Sequence, residues 1–147
     1  MVMKIKFLPQ HIKEFKKIGV LAIYLFGSQA QKRAGLLSDV DIGIAFEKPE
    51  KYKNNTLKPY LKLYDIFIDI LPPSYLKRRF KMKAHELDIV FLQFTPFDFQ
   101  LEAIQNGQVL YESDREKRLA YQEYVLKRHC DLVYLYDLSY KFILERI

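Results

Sequence analysis

Leu25-Phe26-Gly27-Ser28, then ten residues, then Asp39-Val40-Asp41 is the stretch on which the reading of this chain turns. Just before Gly27, Val20 to Phe26 is apolar at both alternating sets of positions, the pattern of a strand covered on both faces. Gly27-Ser28 ends that strand. Gln29 to Arg33 fits a short helix, which Gly35 breaks. Asp39 to Phe46 then alternates with period two. Asp39, Asp41, Gly43 and Ala45 share one face, and Val40, Ile42, Ile44 and Phe46 share the other. The second face is core. The first carries two acids followed by two small residues, which is expected to leave room for a ligand.

Two carboxylates two residues apart on a strand project to the same side. Their oxygens can reach one or two hard cations such as magnesium, whose octahedron is completed by substrate phosphates and water. Two such ions hold the attacking and the leaving oxygen of an in-line phosphoryl displacement. Glycine at position 27 lets the backbone approach a phosphate closely. N–H groups at a helix start, with the Ser28 hydroxyl, suit a triphosphate tail. The pattern is not a P-loop, because Gly-Lys-Ser/Thr is absent. Taken alone, Asp-x-Asp is common and often no more than a turn acid beside an edge-strand acid. The buried strand, the Gly-Ser and the gap give it meaning.

A third carboxylate would complete the site and could take a proton from the attacking hydroxyl. Asp88 is the candidate, since it opens the short apolar run Ile89-Val90-Phe91-Leu92, which reads as the adjacent strand. Asp65 and Asp69 are its rivals. They fall at helical spacing in a helical pattern and read as partly exposed helix residues.

Outward from this centre, Pro9 to Ile18 reads as a helix with proline in its first turn and Gly19 as its stop. Leu57 to Leu71 is predicted helical, with Leu61, Tyr64, Ile68 and Leu71 as the apolar stripe and Pro72-Pro73 as its end. Lys77 to Lys83 is a basic segment. Pro96 to Asn106 is a predicted helix ended by Gly107, followed by a short strand, Val109 to Tyr111. From Ser113 the pattern is helical to the end. Val125, Leu132 and Ser139 form one row, with Gln122, His129, Tyr136 and Ile143 beside it, a spacing more often used for core packing than for binding.

A chain of 147 residues, 50% hydrophobic and 29% charged, suits one globular domain rather than a disordered one. The expected division is a catalytic core, 1–112, and a helical extension, 113–147. One cysteine, Cys130, cannot form an internal disulfide, and no Cys/His cluster has zinc spacing. The start of the chain has no long apolar segment of the signal-peptide kind, and Val20 to Phe26 is too short to span a bilayer. A soluble cytoplasmic protein without membrane contact is therefore expected. A net charge of +6 permits an anionic partner and equally suits a lysine-rich solvated surface.

At these residues the chain resembles the nucleotidyltransferase superfamily of the DNA polymerase beta type, whose signature is Gly-Ser, a gap, Asp-x-Asp and a third acid on a later strand. It is more closely similar to the minimal nucleotidyltransferase (MNT) antitoxins of HEPN/MNT toxin–antitoxin pairs. Ser38 to Gly43, Leu87 to Leu92 and Gly107 to Glu112 look like successive segments of those proteins, so the likeness runs through nearly the whole chain. Gln29 stands where many relatives have arginine, Lys32 where they have glycine, and residues 72–86 look like an insertion.

The resemblance implies an α/β (α+β) nucleotidyltransferase fold: a small mixed sheet with helices packed on one face, the acids on the other, and a long C-terminal helix. It implies that Asp39, Asp41 and Asp88 hold two Mg2+ ions and that Gly27 and Ser28 bind the phosphates of ATP. It further implies transfer of AMP to a tyrosine of a cognate HEPN ribonuclease toxin, in a hetero-oligomer and without direct nucleic-acid binding. Two alternatives stay open: transfer to a small-molecule hydroxyl, and neutralisation by binding alone. A third reading, that the chain is itself a nuclease, rests on the Arg-x5-His spacing of Arg79 and His85 and is weak, because that motif belongs on a helical bundle.

Overall fold

The computed structural model describes residues 5–27, 40–70 and 87–146. Ser28, Asp39, the segment Gln29 to Arg33, Leu71, Pro72-Pro73, the basic run Lys77 to Lys83 and His85 lie outside these described residues.

Four strands, β1 (Val20–Phe26), β2 (Val40–Phe46), β3 (Leu87–Phe91) and β4 (Gln108–Glu112), form one mixed sheet in the order β3-β2-β1-β4. β1 runs antiparallel to both β2 and β4, whereas β3 lies parallel to β2. A parallel neighbour requires a crossover, and the chain from 47 to 86 provides it. That crossover includes α2 (Leu57–Ile70), which packs beside α1 (Pro9–Ile18). Proline at the start of α1 supplies a fitting φ, and Gly19 closes the helix in the left-handed region, its N–H donating to the Phe15 carbonyl at 3.0 Å.

The larger core cluster lies on the face of the sheet away from the acids. Ile23 and Leu25 of β1, Ile42 and Ile44 of β2 and Ile89 of β3 meet Phe15 and Ile18 of α1 and Leu63 and Phe67 of α2. Phe15 and Phe67 stack with ring centroids 6.4 Å apart. The buried row of α2 is therefore Pro59, Leu63 and Phe67 rather than the expected stripe, and Leu61 is 52% exposed. Tyr64 and Ile68 still pack against the core from the side. The helix is apolar over so wide an arc that its sequence does not mark which part of the arc faces inward.

The helices expected opposite the acids are α1 and α2. The acid face carries a further layer, α3 (Phe97–Asn106) and the first half of α4 (Arg115–Glu145). Leu21, Ala22 and Tyr24 of β1 pack there with Ala45, Leu92 and Ala103. This overturns the reading of Gly43 and Ala45 as room for a ligand. A Cβ at Gly43 would lie 3.1 Å from Cγ and both Cδ atoms of Leu92, so the small residues accommodate a leucine.

Candidate active site

β3 places Asp88 in direct register with Asp41 of β2. Residues in register on parallel neighbours project to the same side, with the strands ~4.8 Å apart. The two carboxylates thus leave the sheet on one face from adjacent strands. Asp41 is half-buried and Asp88 exposed. Asp65 and Asp69 are exposed on α2, the layer that covers the opposite face, as their helical spacing predicted.

The register of Asp88 is held from its C-terminal side. The Gln93 side chain donates to the Phe46 carbonyl and accepts from the Phe46 N–H, both at 2.7 Å, so an amide side chain continues the ladder where β3 ends. α2 approaches from the other face, and Tyr60 feels Asp88: burial foremost, and then the negative charge of Asp88, push its phenol pKa up.

Gly27 follows the last residue of β1 and adopts φ +73°. Because Phe26 pairs with Asp41 across the antiparallel ladder, the turn at Gly27 is delivered to the Asp41 carboxylate. A Cβ at this position would lie 3.2 Å from Asp41 Cγ and closer still to Oδ2. The backbone angle favours glycine here, and any side chain at this position would in addition have to turn the Asp41 carboxylate away.

Phe26 lies beside Asp41 and meets Phe99 of α3 edge-on, centroids 5.6 Å apart. This aromatic edge to the site was not legible in the sequence, where Phe99 is one phenylalanine of 11 and its helix gave no sign of reaching β1. α4 is anchored nearby. Tyr24 Oη donates to Gln122 Oε1 at 2.9 Å, and Arg118 pairs with Glu112 and also reaches Gln122. Burial, the largest influence, pushes the Tyr24 pKa up to about 12. The buried Gln100 side chain accepts from Tyr121 Oη at 2.7 Å and donates to the Thr95 carbonyl at 2.8 Å.

Of the five residues expected to form the site, the structure brings together Gly27, Asp41 and Asp88, while Ser28 and Asp39 lie outside the described residues. Hard carboxylate oxygens from two adjacent strands suit a hard divalent cation such as magnesium, and nothing in this donor set favours a soft metal.

Residues 10–116 match the sequence model of the family described as Polymerase beta, Nucleotidyltransferase. No curated protein matches the sequence. Among solved structures, a toxin–antitoxin with AMP-PNP is 16% identical over 90% of this chain and 94% of its own, with a TM-score of 0.61. The toxin–antitoxin MntA–HepT is 14% identical over 92% and 94%, with a TM-score of 0.55. A complex of tri-AMPylated Shewanella oneidensis HEPN toxin with MNT antitoxin is 15% identical over 92% and 98%, with a TM-score of 0.53. At such identities the likeness is one of fold. Among the described residues, no helix is long and apolar enough to cross a membrane.

Proposed function

The chain belongs to the polymerase beta nucleotidyltransferase family, and from that premise we propose that it transfers AMP from ATP to a tyrosine hydroxyl of a HEPN toxin, as the antitoxin of the pair. The observation that carries the reading is the in-register pair Asp41 and Asp88 beside the Gly27 turn. The partner and the nucleotide are suggested by structures of similar fold, one containing AMP-PNP and one an AMPylated HEPN toxin with MNT antitoxin. The proposed setting is the cytoplasm.

In this reading the backbone at Gly27 and the Ser28 hydroxyl receive the phosphates. Asp39, Asp41 and Asp88 are the residues that would hold Mg2+, which when bound neutralises phosphate charge during displacement. Asp88, the exposed acid of the pair, accepts the proton of the incoming hydroxyl. The tyrosine oxygen bonds to the α-phosphorus, the bond from that phosphorus to the β-phosphate bridging oxygen breaks, and pyrophosphate leaves. A phosphodiester-linked AMP remains on the partner.

The test is incubation of the full chain with α-labelled ATP, magnesium and a HEPN protein encoded beside it. Label is expected on a tyrosine of the partner, and Asp41→Ala is expected to abolish it. Label appearing on a free small molecule, with none on the protein, would overturn the assignment of the acceptor.

A further inference from the structure

α4 outlasts the domain it packs on. Its start is tied to the beginning of β1 through the Ser113 N–H, which donates to the Leu21 carbonyl at 2.8 Å. Gln122 then meets Tyr24, and His129 Nδ1 lies 2.7 Å from the carboxylate of Asp98, whose neighbour Phe99 touches Phe26. Successive helix residues thus follow β1 toward the end where Gly27 and Asp41 sit. Val125 is the last fully buried residue, and the helix continues for 20 more residues, to Glu145. At 1.5 Å per residue that is roughly 30 Å of helix beyond the buried part.

This distal segment does not have a solvent-facing composition. From Val133 onward every large apolar side chain described is at least 43% exposed, with Tyr134, Tyr136 and Tyr140 above 60%. At 3.6 residues per turn the apolar positions fall on two opposed sides. Leu132, Val133, Tyr136, Tyr140, Ile143 and Leu144 continue and widen the side that Val125 buries. Tyr134, Leu135, Leu138 and Phe142 lie across from them, with Asp137 and Lys141 in one seam and Ser139 in the other. A helix apolar on two sides is one that packs between elements, and soluble surfaces rarely leave such an area bare.

The area selects the occupant. With 150–250 Å² for each aromatic side chain, the exposed parts sum to on the order of 1,000 Å², against about 800 Å² per partner in a standard stable interface. A second copy pairing helix to helix about a two-fold axis covers one side and leaves the other in water. A groove between helices of another protein covers both.

We infer that the distal half of α4 is the docking arm for the acceptor protein, which closes an apolar groove formed by its helices around both sides of the arm. This rests on the proposed transfer to a protein and adds the surface that selects the acceptor. Because the arm projects from the acid end of the sheet, an acceptor seated on it lies beside Asp41 and Asp88.

The test uses full chains carrying Tyr136→Glu/Tyr140→Glu on one side of the arm or Leu138→Glu/Phe142→Glu on the other. All four residues are exposed, so thermal unfolding should match the parent chain. Binding to the HEPN protein is read by titration calorimetry, AMP transfer by label, and self-association by sedimentation. Each pair is expected to weaken binding roughly 30-fold or more, the range for removing central aromatic anchors. AMP transfer should recover at saturating acceptor. Unchanged binding in both variants, with transfer intact, would overturn the docking arm but leave the proposed activity standing. A parent chain that binds the acceptor through the arm yet transfers no AMP would overturn the activity and keep the arm. Dimers of the parent chain that either variant dissolves, with acceptor binding unaffected, would assign the arm to a second copy and overturn this inference.

Discussion

The backbone of Gly27 rests against the carboxylate of Asp41, with no space between them for a methyl group. The end of β1 and the acid of β2 are thus one construction, since the cross-strand pairing of Phe26 with Asp41 brings the turn there. Gly27→Ala strains a backbone at φ +73°, at about 1–2 kcal/mol, and also pushes the carboxylate aside. Displacement of a reacting group by about 1 Å costs on the order of 100-fold. AMP transfer should fall by that factor, while the melting temperature drops by only a few degrees. Parental rates in Gly27→Ala would remove the turn from the site.

Asp88 is exposed at the sheet edge, so Asp88→Asn should leave stability nearly unchanged. As the proposed proton acceptor, its loss should reduce kcat by roughly 10²–10⁴. Asp65→Asn and Asp69→Asn on α2 should stay within about twofold of the parent. Single-turnover label transfer distinguishes the three, and a large loss in either α2 variant would move the third acid off β3.

Asp39→Ala/Asp41→Ala separates catalysis from occlusion. The double variant is expected to lose AMP transfer and with it the ability to restore growth to cells expressing the toxin. Full neutralisation by this variant, with no label on the partner, would mean that binding alone suffices.

Gly43→Ala should destabilise the domain by about 1–3 kcal/mol, because its Cβ meets Leu92 from 3.1 Å on three atoms. Leu92→Ala alone should cost about 2–5 kcal/mol, as it empties a fully buried position. The two residues share one space, so the double variant should cost less than the sum. Urea unfolding measures all three, and strict additivity would contradict the packing.

Tyr24 ties the sheet to α4 and titrates late. Its folded pKa, near 12, lies above the ordinary value of 10.0, because burial disfavours the phenolate. The stability it contributes is fully present below pH 10 and is lost as the pH rises toward 12, since the unfolded chain releases the proton first. Tyr24→Phe should flatten that alkaline decline. At neutral pH it should cost about 1 kcal/mol for the hydrogen bond to Gln122. An unchanged slope between pH 10 and 12 would show that other groups govern the alkaline transition.

Much of the candidate site could be read from local pattern alone. Period-two alternation assigned Asp41 to the face opposite Ile42 and Ile44, and all three lie as that pattern requires. The apolar run behind Asp88 marks it as a strand residue, and helical spacing marks Asp65 and Asp69 as helix residues, as the structure has them. The acids at the centre are thus matters of periodicity, which the chain carries in its order of residues.

Distances across the fold are another matter. Gly43 and Ala45 have the same small side chains whether a ligand or Leu92 faces them, and only the packing of the turn after β3 onto β2 decides between the two. Which arc of α2 turns inward, how Phe99 reaches Phe26, and the point along α4 where burial stops depend on long-range contacts that no local period encodes. The residue order determined which side chains share a face, because one backbone repeat fixes that. Tertiary structure alone decided what each face meets, because that depends on segments brought together from far along the chain.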